Sequence, residues 1–137
     1  MQPHPYRRHR TCGALLCVLL VCCPSWGQAV RKGESLSHAR KALLAQGWKP
    51  RETFGLDGNG ERWALFADAG LMHRAGIVEV QDCTGTGLNY CAFNYLRRGQ
   101  CLTLQTEGEF KPGAYEPKVI RTLRKCPDAE YLGPPAR

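Results

Sequence analysis

The stretch Asn89-Tyr90-Cys91-Ala92-Phe93-Asn94-Tyr95-Leu96-Arg97-Arg98-Gly99-Gln100-Cys101-Leu102-Thr103-Leu104-Gln105-Thr106 decides the fold. Two extended runs, 89–96 and 101–106, flank Arg97-Arg98-Gly99-Gln100, which has the length and the glycine of a tight hairpin turn. With Arg98-Gly99 as the loop, Arg97 pairs with Gln100, Leu96 with Cys101, Tyr95 with Leu102 and Phe93 with Leu104. Side chains alternate along a strand, so Cys91, Phe93, Tyr95, Leu102 and Leu104 share one apolar face. Cys101 falls on the other face with Asn94 and Thr103. That parity disfavours a Cys91–Cys101 bond, unless a bulge at Gly99 reverses it.

Upstream, Ser35 and Ser37 are candidate helix caps, and Leu36, Ala39, Leu43 and Leu44 recur at helical spacing. The spacing predicts a helix over Leu36–Gln46, stopped by Gly47, with Trp48 folding back on Leu43 or Leu44 as a core anchor. Extended segments are expected at Lys49–Phe54 and Arg62–Phe66, joined by a glycine-rich turn at 55–60. Asp57, Asn59 and Glu61 imitate the start of a calcium loop, but Arg62 stands where that loop requires glycine, so the segment reads as a turn. Asp68 is placed to cap a short helix through Leu71, Met72 and Arg74, stopped by Gly76, with a strand at Ile77–Gln81. A last strand is expected near Val119–Leu123. The order helix, Gly47, Trp48, strand is echoed by helix, Gly76, Ile77, strand. The sum is an α+β domain: an antiparallel sheet of about four to six strands, one or two helices on one face, and two disulfides.

The chain has 137 residues, a formal charge of +7 and eight cysteines. Arg7, Arg8 and Arg10 precede an uncharged run, Thr11–Cys23, and Gly27-Gln28-Ala29 supplies small residues at the exit, which is the anatomy of a cleaved signal peptide. The run is too short to cross a bilayer, so no transmembrane span is expected. Lipidation at Cys23 is the lesser alternative, because Cys22 stands where a small residue is the rule. The organisation expected is a leader at 1–29, a domain at 30–126 and a Pro-rich flexible tail at 127–137. Processing leaves a 108-residue chain that has lost three of its 19 basic residues, for a charge of +4, and retains Cys83, Cys91, Cys101 and Cys126. An even number in a small exported domain points to disulfides. Of the three connectivities, Cys83–Cys91 with Cys101–Cys126 is favoured. The first closes a short glycine-rich loop and the second ties the last strand to the sheet.

Chemistry is sparse. Thr84-Gly85-Thr86-Gly87 lacks the Gly-Lys-Ser/Thr of a phosphate loop and leads into a strand. It reads first as a tight turn, and second as a rigid recognition loop. His38 and His73 have no partner at ligand spacing, so neither a metal nor a cofactor is expected. No nucleophile elbow occurs, and Glu79, Glu107 and Glu109 are expected on solvent faces. Arg97, Arg98, Arg121, Arg124 and Lys125 form one patch if the last strand lies beside the Cys101 strand. A charge of +4 without interleaved aromatics argues against nucleic acid and for a protein or an anionic envelope component as partner.

The strings Ala39–Trp48 and Val78–Phe93 resemble a group of small exported bacterial proteins of unknown function, with a helix ending Gly-aromatic and a C-x-G-T-G-x-x-x-C-x-F block. The resemblance covers about two thirds of the processed chain. It implies a periplasmic α+β domain with a Cys83–Cys91 bond, and no catalytic residues. A looser likeness, of architecture alone, is to inhibitor and PepSY-like envelope modules. The expectation is a periplasmic or secreted, non-enzymatic binding module of inhibitor or immunity type, a monomer or small homo-oligomer. Thr84, Gly85, Thr86, Gly87, Arg97 and Arg98 are its candidate contact residues. The alternatives are an envelope hydrolase using Glu79 or His73, and a structural or stress-related envelope protein.

Overall fold

A computed structural model describes residues 29–54, 59, 61–62 and 65–127. The expected leader, the Cys23 site, most of the 55–60 turn and nearly all of the tail lie outside these residues. The elements run α1 (Leu36–Ala45), β1 (Lys49–Pro50), α2 (Ala67–Arg74), β2 (Val80–Cys83), β3 (Cys91–Arg97), β4 (Gln100–Glu107) and β5 (Lys118–Leu123). The five strands form one antiparallel sheet, so the fold is α+β. The β3–β4 hairpin has the expected register, with Tyr95 opposite Leu102 and Phe93 opposite Leu104. Arg98 and Gly99 both take positive φ, 50° and 76°, the backbone of a turn whose twist matches that of its strands.

β4 covers one edge of β3 along its whole length, and two short strands share the other edge. β1 pairs with Tyr95 and Leu96, while β2 pairs with Cys91–Phe93. Each is delivered by the same device. At the end of α1 the Gly47 N–H donates to the Leu44 carbonyl and the Trp48 N–H to that of Leu43. At the end of α2 the Gly76 N–H donates to His73 and the Ile77 N–H to Met72, three and five residues back as in α1. Gly47 and Gly76 have φ of 81° and 87°, the left-handed conformation that this cap requires and that a Cβ penalises. The echo seen in the sequence is therefore a repeated backbone device.

α1 buries Leu36, Ala39 and Leu43, and α2 buries Ala69 and Met72, in one cluster with Trp48, Val80, Phe93, Tyr95, Leu102, Leu104 and Val119. Leu44 stays on the surface, so the cap contact of Trp48 is with Leu43. The opposite face of the sheet is not plain solvent surface. Asn94 is fully buried there: its amide donates to Thr53 Oγ1 (3.0 Å) and Gln81 Oε1 (2.8 Å), and its Oδ1 accepts from Thr103 (2.9 Å). Its backbone accepts from Arg51 and donates to Glu79, so this residue stitches the chain after β1 to the chain before β2. The sheet's β5 edge is strapped by residues 33–36, which exchange hydrogen bonds with Pro117 and Val119.

Several expectations need correction. The first strand ends at Pro50, because Arg51 onward peels toward the polar network on the outer face. Arg62–Phe66 gives no strand among its described residues. The two arms are instead joined by side chains, with Arg62 Nη1 3.2 Å from Glu52 and its guanidinium 3.6 Å from the Phe54 ring centroid. β2 begins at Val80 because Val78 and Glu79 form a turn, and Gln81 is the extra residue of a bulge. Asp68 lies inside α2 and caps nothing; Phe66 occupies the cap position without a side-chain bond.

Candidate functional site

Both favoured disulfides are present, and they mark opposite ends of β3. Cys83 and Cys91 face one another across β2–β3 with Cα atoms 4.1 Å apart. Cys101 joins Cys126 just beyond β5, at a Cα separation of 4.8 Å. A seven-residue strand spans roughly 20 Å, so the Thr84–Gly87 loop at one end and Arg97–Arg98 at the other do not make one site. No helix among the described residues is long and apolar enough to cross a membrane.

The loop closed by Cys83–Cys91 is held by hydrogen bonds as well. Thr84 N–H donates to the Tyr90 carbonyl (2.9 Å), and Thr84 Oγ1 accepts from Tyr90 N–H (3.0 Å) while donating to the Thr86 carbonyl. Gly85 and Gly87 take φ of 68° and 61° with open space where a Cβ would stand, so conformation rather than crowding selects glycine. Asn89, also at positive φ (49°), is the hub. Its Oδ1 accepts from Gly85 N–H (3.1 Å), and its amide donates to Asp68 Oδ2 (2.6 Å) and the Gly108 carbonyl (3.2 Å). The same Asp68 oxygen accepts from Phe110 N–H (2.8 Å), so one carboxylate ties the start of α2, the loop and the β4–β5 connection together.

Around this locked frame stand apolar side chains in water. Leu88 is 59% exposed, Tyr90 45%, and Phe66, two residues before Asp68, 79%. Phe66 precedes Ala67, whose φ of 44° is costly for a residue with a Cβ. Beside the loop, on the outer face of the sheet, lies an open hollow of about 440 Å³ lined by Asp82, Thr84, Tyr90, Gln105, Ile120 and Arg121. Partial burial raises the Asp82 carboxyl above the usual carboxylate range. Arg121 Nε donates to Gln105 Oε1 across β4–β5 (2.6 Å).

β5 does lie beside β4, yet the five cations expected to gather divide. Arg121 stays with Gln105, about 16 Å along the strand from Gln100. Arg97 and Arg124 converge on Trp48, their guanidinium carbons 4.6 and 4.8 Å from its ring centroid. Arg97 Nη1 also donates to the carbonyl of Gln46, which caps α1 (2.9 Å). A second hollow, about 480 Å³, opens between Arg97, Gln100, Cys101 and Arg124.

Glu79 is the residue the sequence reading misplaced. It is fully buried, not on a solvent face. Its Oε1 accepts from Arg40 Nε (2.6 Å) and from the Tyr95 hydroxyl (3.0 Å), and its Oε2 has no hydrogen-bond partner among the described residues. The hydrogen bond that Arg40 donates to Glu79 raises the Arg40 pKa, and burial followed by the Glu79 charge raises that of Tyr95 well above the usual phenol value. The available signal was Arg40 itself, which stands in the buried 36–39–43 stripe of α1, where an arginine needs a buried anion. His73 is elsewhere, 3.1 Å from Glu52, and His38 bonds Glu34 (2.6 Å); among the described residues Glu79 and His73 share no partner. Among the described residues no group of three or more His, Cys, Asp or Glu gathers as a metal site. No protein family, curated protein or solved structure matches the chain.

Proposed function

We propose that the chain is an exported binding module of inhibitor or immunity type that docks on another protein through the Cys83–Cys91 loop. Carrying this reading is one observation: an uncharged loop fixed by a disulfide, two left-handed glycines and the Asp68–Asn89 hub, with Leu88 and Tyr90 held out in water. A frame that is already ordered loses little entropy on binding, and exposed aromatic and aliphatic anchors are the residues that carry contact energy. Export is supported by the basic, apolar and small-residue order of positions 7–29, and by disulfides that belong to an oxidising compartment.

The test is capture from envelope extract by the wild-type chain, a Leu88→Ser/Tyr90→Ala variant and a Leu44→Ser control on α1. A partner held by wild type and control, and released by the loop variant with its far-UV spectrum unchanged, is the expected result. Equal capture by all three, or none, overturns the reading.

A further inference from the structure

We propose that the hollow beside Trp48, between Arg97 and Arg124, is a binding site for a phosphate group. The site lies at the end of β3 opposite the docking loop and is built from three separate segments. β3 supplies Arg97 as its last residue, the chain just past β5 supplies Arg124, and the α1 cap supplies the Trp48 ring against which both guanidinium groups rest. Trp48 is 2% exposed, so the ring is a fixed platform. The Cys101–Cys126 bond holds the Arg124 segment to β4, and Gln100 and Cys101 complete the wall.

Among the described residues, charge at this end is one-sided. Segments 46–50, 96–101 and 123–127 carry Lys49, Arg97, Arg98, Arg124 and Lys125, and contain no Asp or Glu. Among the described residues neither Arg97 nor Arg124 meets a carboxylate. Two cations drawn to one ring repel each other, and neither has a carboxylate to offset that repulsion among the described residues. An anion placed between them removes the repulsion and accepts from N–H groups that Arg97 does not spend on Gln46. A carboxylate offers one edge, which fills one guanidinium fork. A tetrahedral phosphate offers several, so it answers two forks that approach from different segments. The hollow, at about 480 Å³, exceeds one phosphate and leaves room for whatever carries it.

Free phosphate and a phospholipid headgroup share this chemistry, and two arms of one experiment separate them. In the first, inorganic phosphate and then pyrophosphate are titrated into the full chain at constant ionic strength, with calorimetry and the Trp48 indole N–H resonance as readouts. Saturable binding that moves the indole signal is expected, weakened about tenfold by Arg124→Gln and less by Arg124→Lys, which keeps the charge but not the fork. Lys32→Gln, the same charge change on a distant exposed residue, leaves binding as in wild type. In the second arm, vesicles of phosphatidylglycerol are compared with phosphatidylcholine. Vesicle binding that Arg124→Gln weakens, alongside weak free-phosphate binding, assigns the phosphate to a lipid. The proposal falls if Arg124→Gln binds phosphate and vesicles as wild type does, if acetate matches phosphate, or if neither arm shows binding.

Discussion

The two ends of β3 are built alike and furnished differently. Each receives a short strand from a helix that ends in a left-handed glycine, and each is closed by a disulfide. At the Cys91 end the loop is uncharged and its apolar residues are exposed; at the Arg97 end the segments are cationic and their one large aromatic, Trp48, is buried. The lesson is that the repeated backbone sets where two surfaces will be, and the side chains grafted on it set what each surface can hold.

A buried ion pair crosses from one unit to the other, and breaking it has the largest expected effect. Arg40 comes from the helix of the first unit, Glu79 from the turn between helix and strand in the second, and Tyr95 from the strand both units share. Glu79→Ala leaves the guanidinium and the phenol without their acceptor and should cost about 3–5 kcal/mol in urea denaturation. The same cluster has a pH signature. The Tyr95 hydroxyl has its pKa raised by burial and by the Glu79 charge, so above about pH 10 the unfolded chain releases a proton that the folded chain retains. Stability present below that pH is lost as alkali is added. Tyr95→Phe should remove this part of the alkaline slope, and an unchanged slope would mean that the phenol is not held as described.

The disulfides come next, and they separate stability from binding. On loop length alone, Cys101→Ala/Cys126→Ala should cost about 3.5 kcal/mol and Cys83→Ala/Cys91→Ala about 2.5 kcal/mol, because the first pair closes 25 residues and the second 8. Their effects on recognition should cross: the smaller loss of stability goes with loss of capture by the loop, the larger with weakened phosphate binding. Paired melting and binding measurements in which both variants lose both functions equally would show that the ends are not independent.

Much of this frame was legible in the sequence because local rules agreed with one another. The Arg98-Gly99 turn set the register, the register set the parity of Cys91 and Cys101 and disfavoured a bond between them, and the short glycine-rich loop and the tie to the last strand favoured the connectivity that is found. Gly47 and Gly76 announced the helix ends. What the sequence did not yield depends on contacts between residues far apart in the chain. Asp68 looked like a cap because Asp often is one, but its partners are 21 and 42 residues away. Glu79 looked like a strand glutamate with a solvent face because the turn at Val78–Glu79 has no glycine, proline or asparagine to mark it. The five-cation patch failed as a unit because Arg121 lies within β5 beside Gln105, well along the sheet from the end where Arg124 follows the strand.

The smallest effects expected concern how the two helices begin, and there the units differ most. Ser35 Oγ accepts from His38 N–H at the start of α1, and Glu116 Oε2, from a distant turn, accepts from Ser37 N–H (3.1 Å). The hydrogen bonds from Ser37 hold the Glu116 carboxyl below its ordinary pKa, so what it adds to stability is present above the carboxylate range and lost as pH falls through it. α2 has none of this: Phe66 stands at the cap, exposed and without a side-chain bond, ahead of an alanine in the left-handed region. The backbone of Phe66, φ −106° and ψ 165°, is already that of a cap residue, so Phe66→Ser supplies the missing acceptor. It should stabilise the fold by about 1 kcal/mol, the amount Ser35→Ala should remove from α1. If Phe66 belongs to the docking surface, the stabler variant binds its partner less well, as when a residue is retained for function against the preference of the helix. A Phe66→Ser chain that melts earlier would reverse the argument: Phe66 would then serve the fold, and the exposed surface at the loop end would reduce to Leu88 and Tyr90.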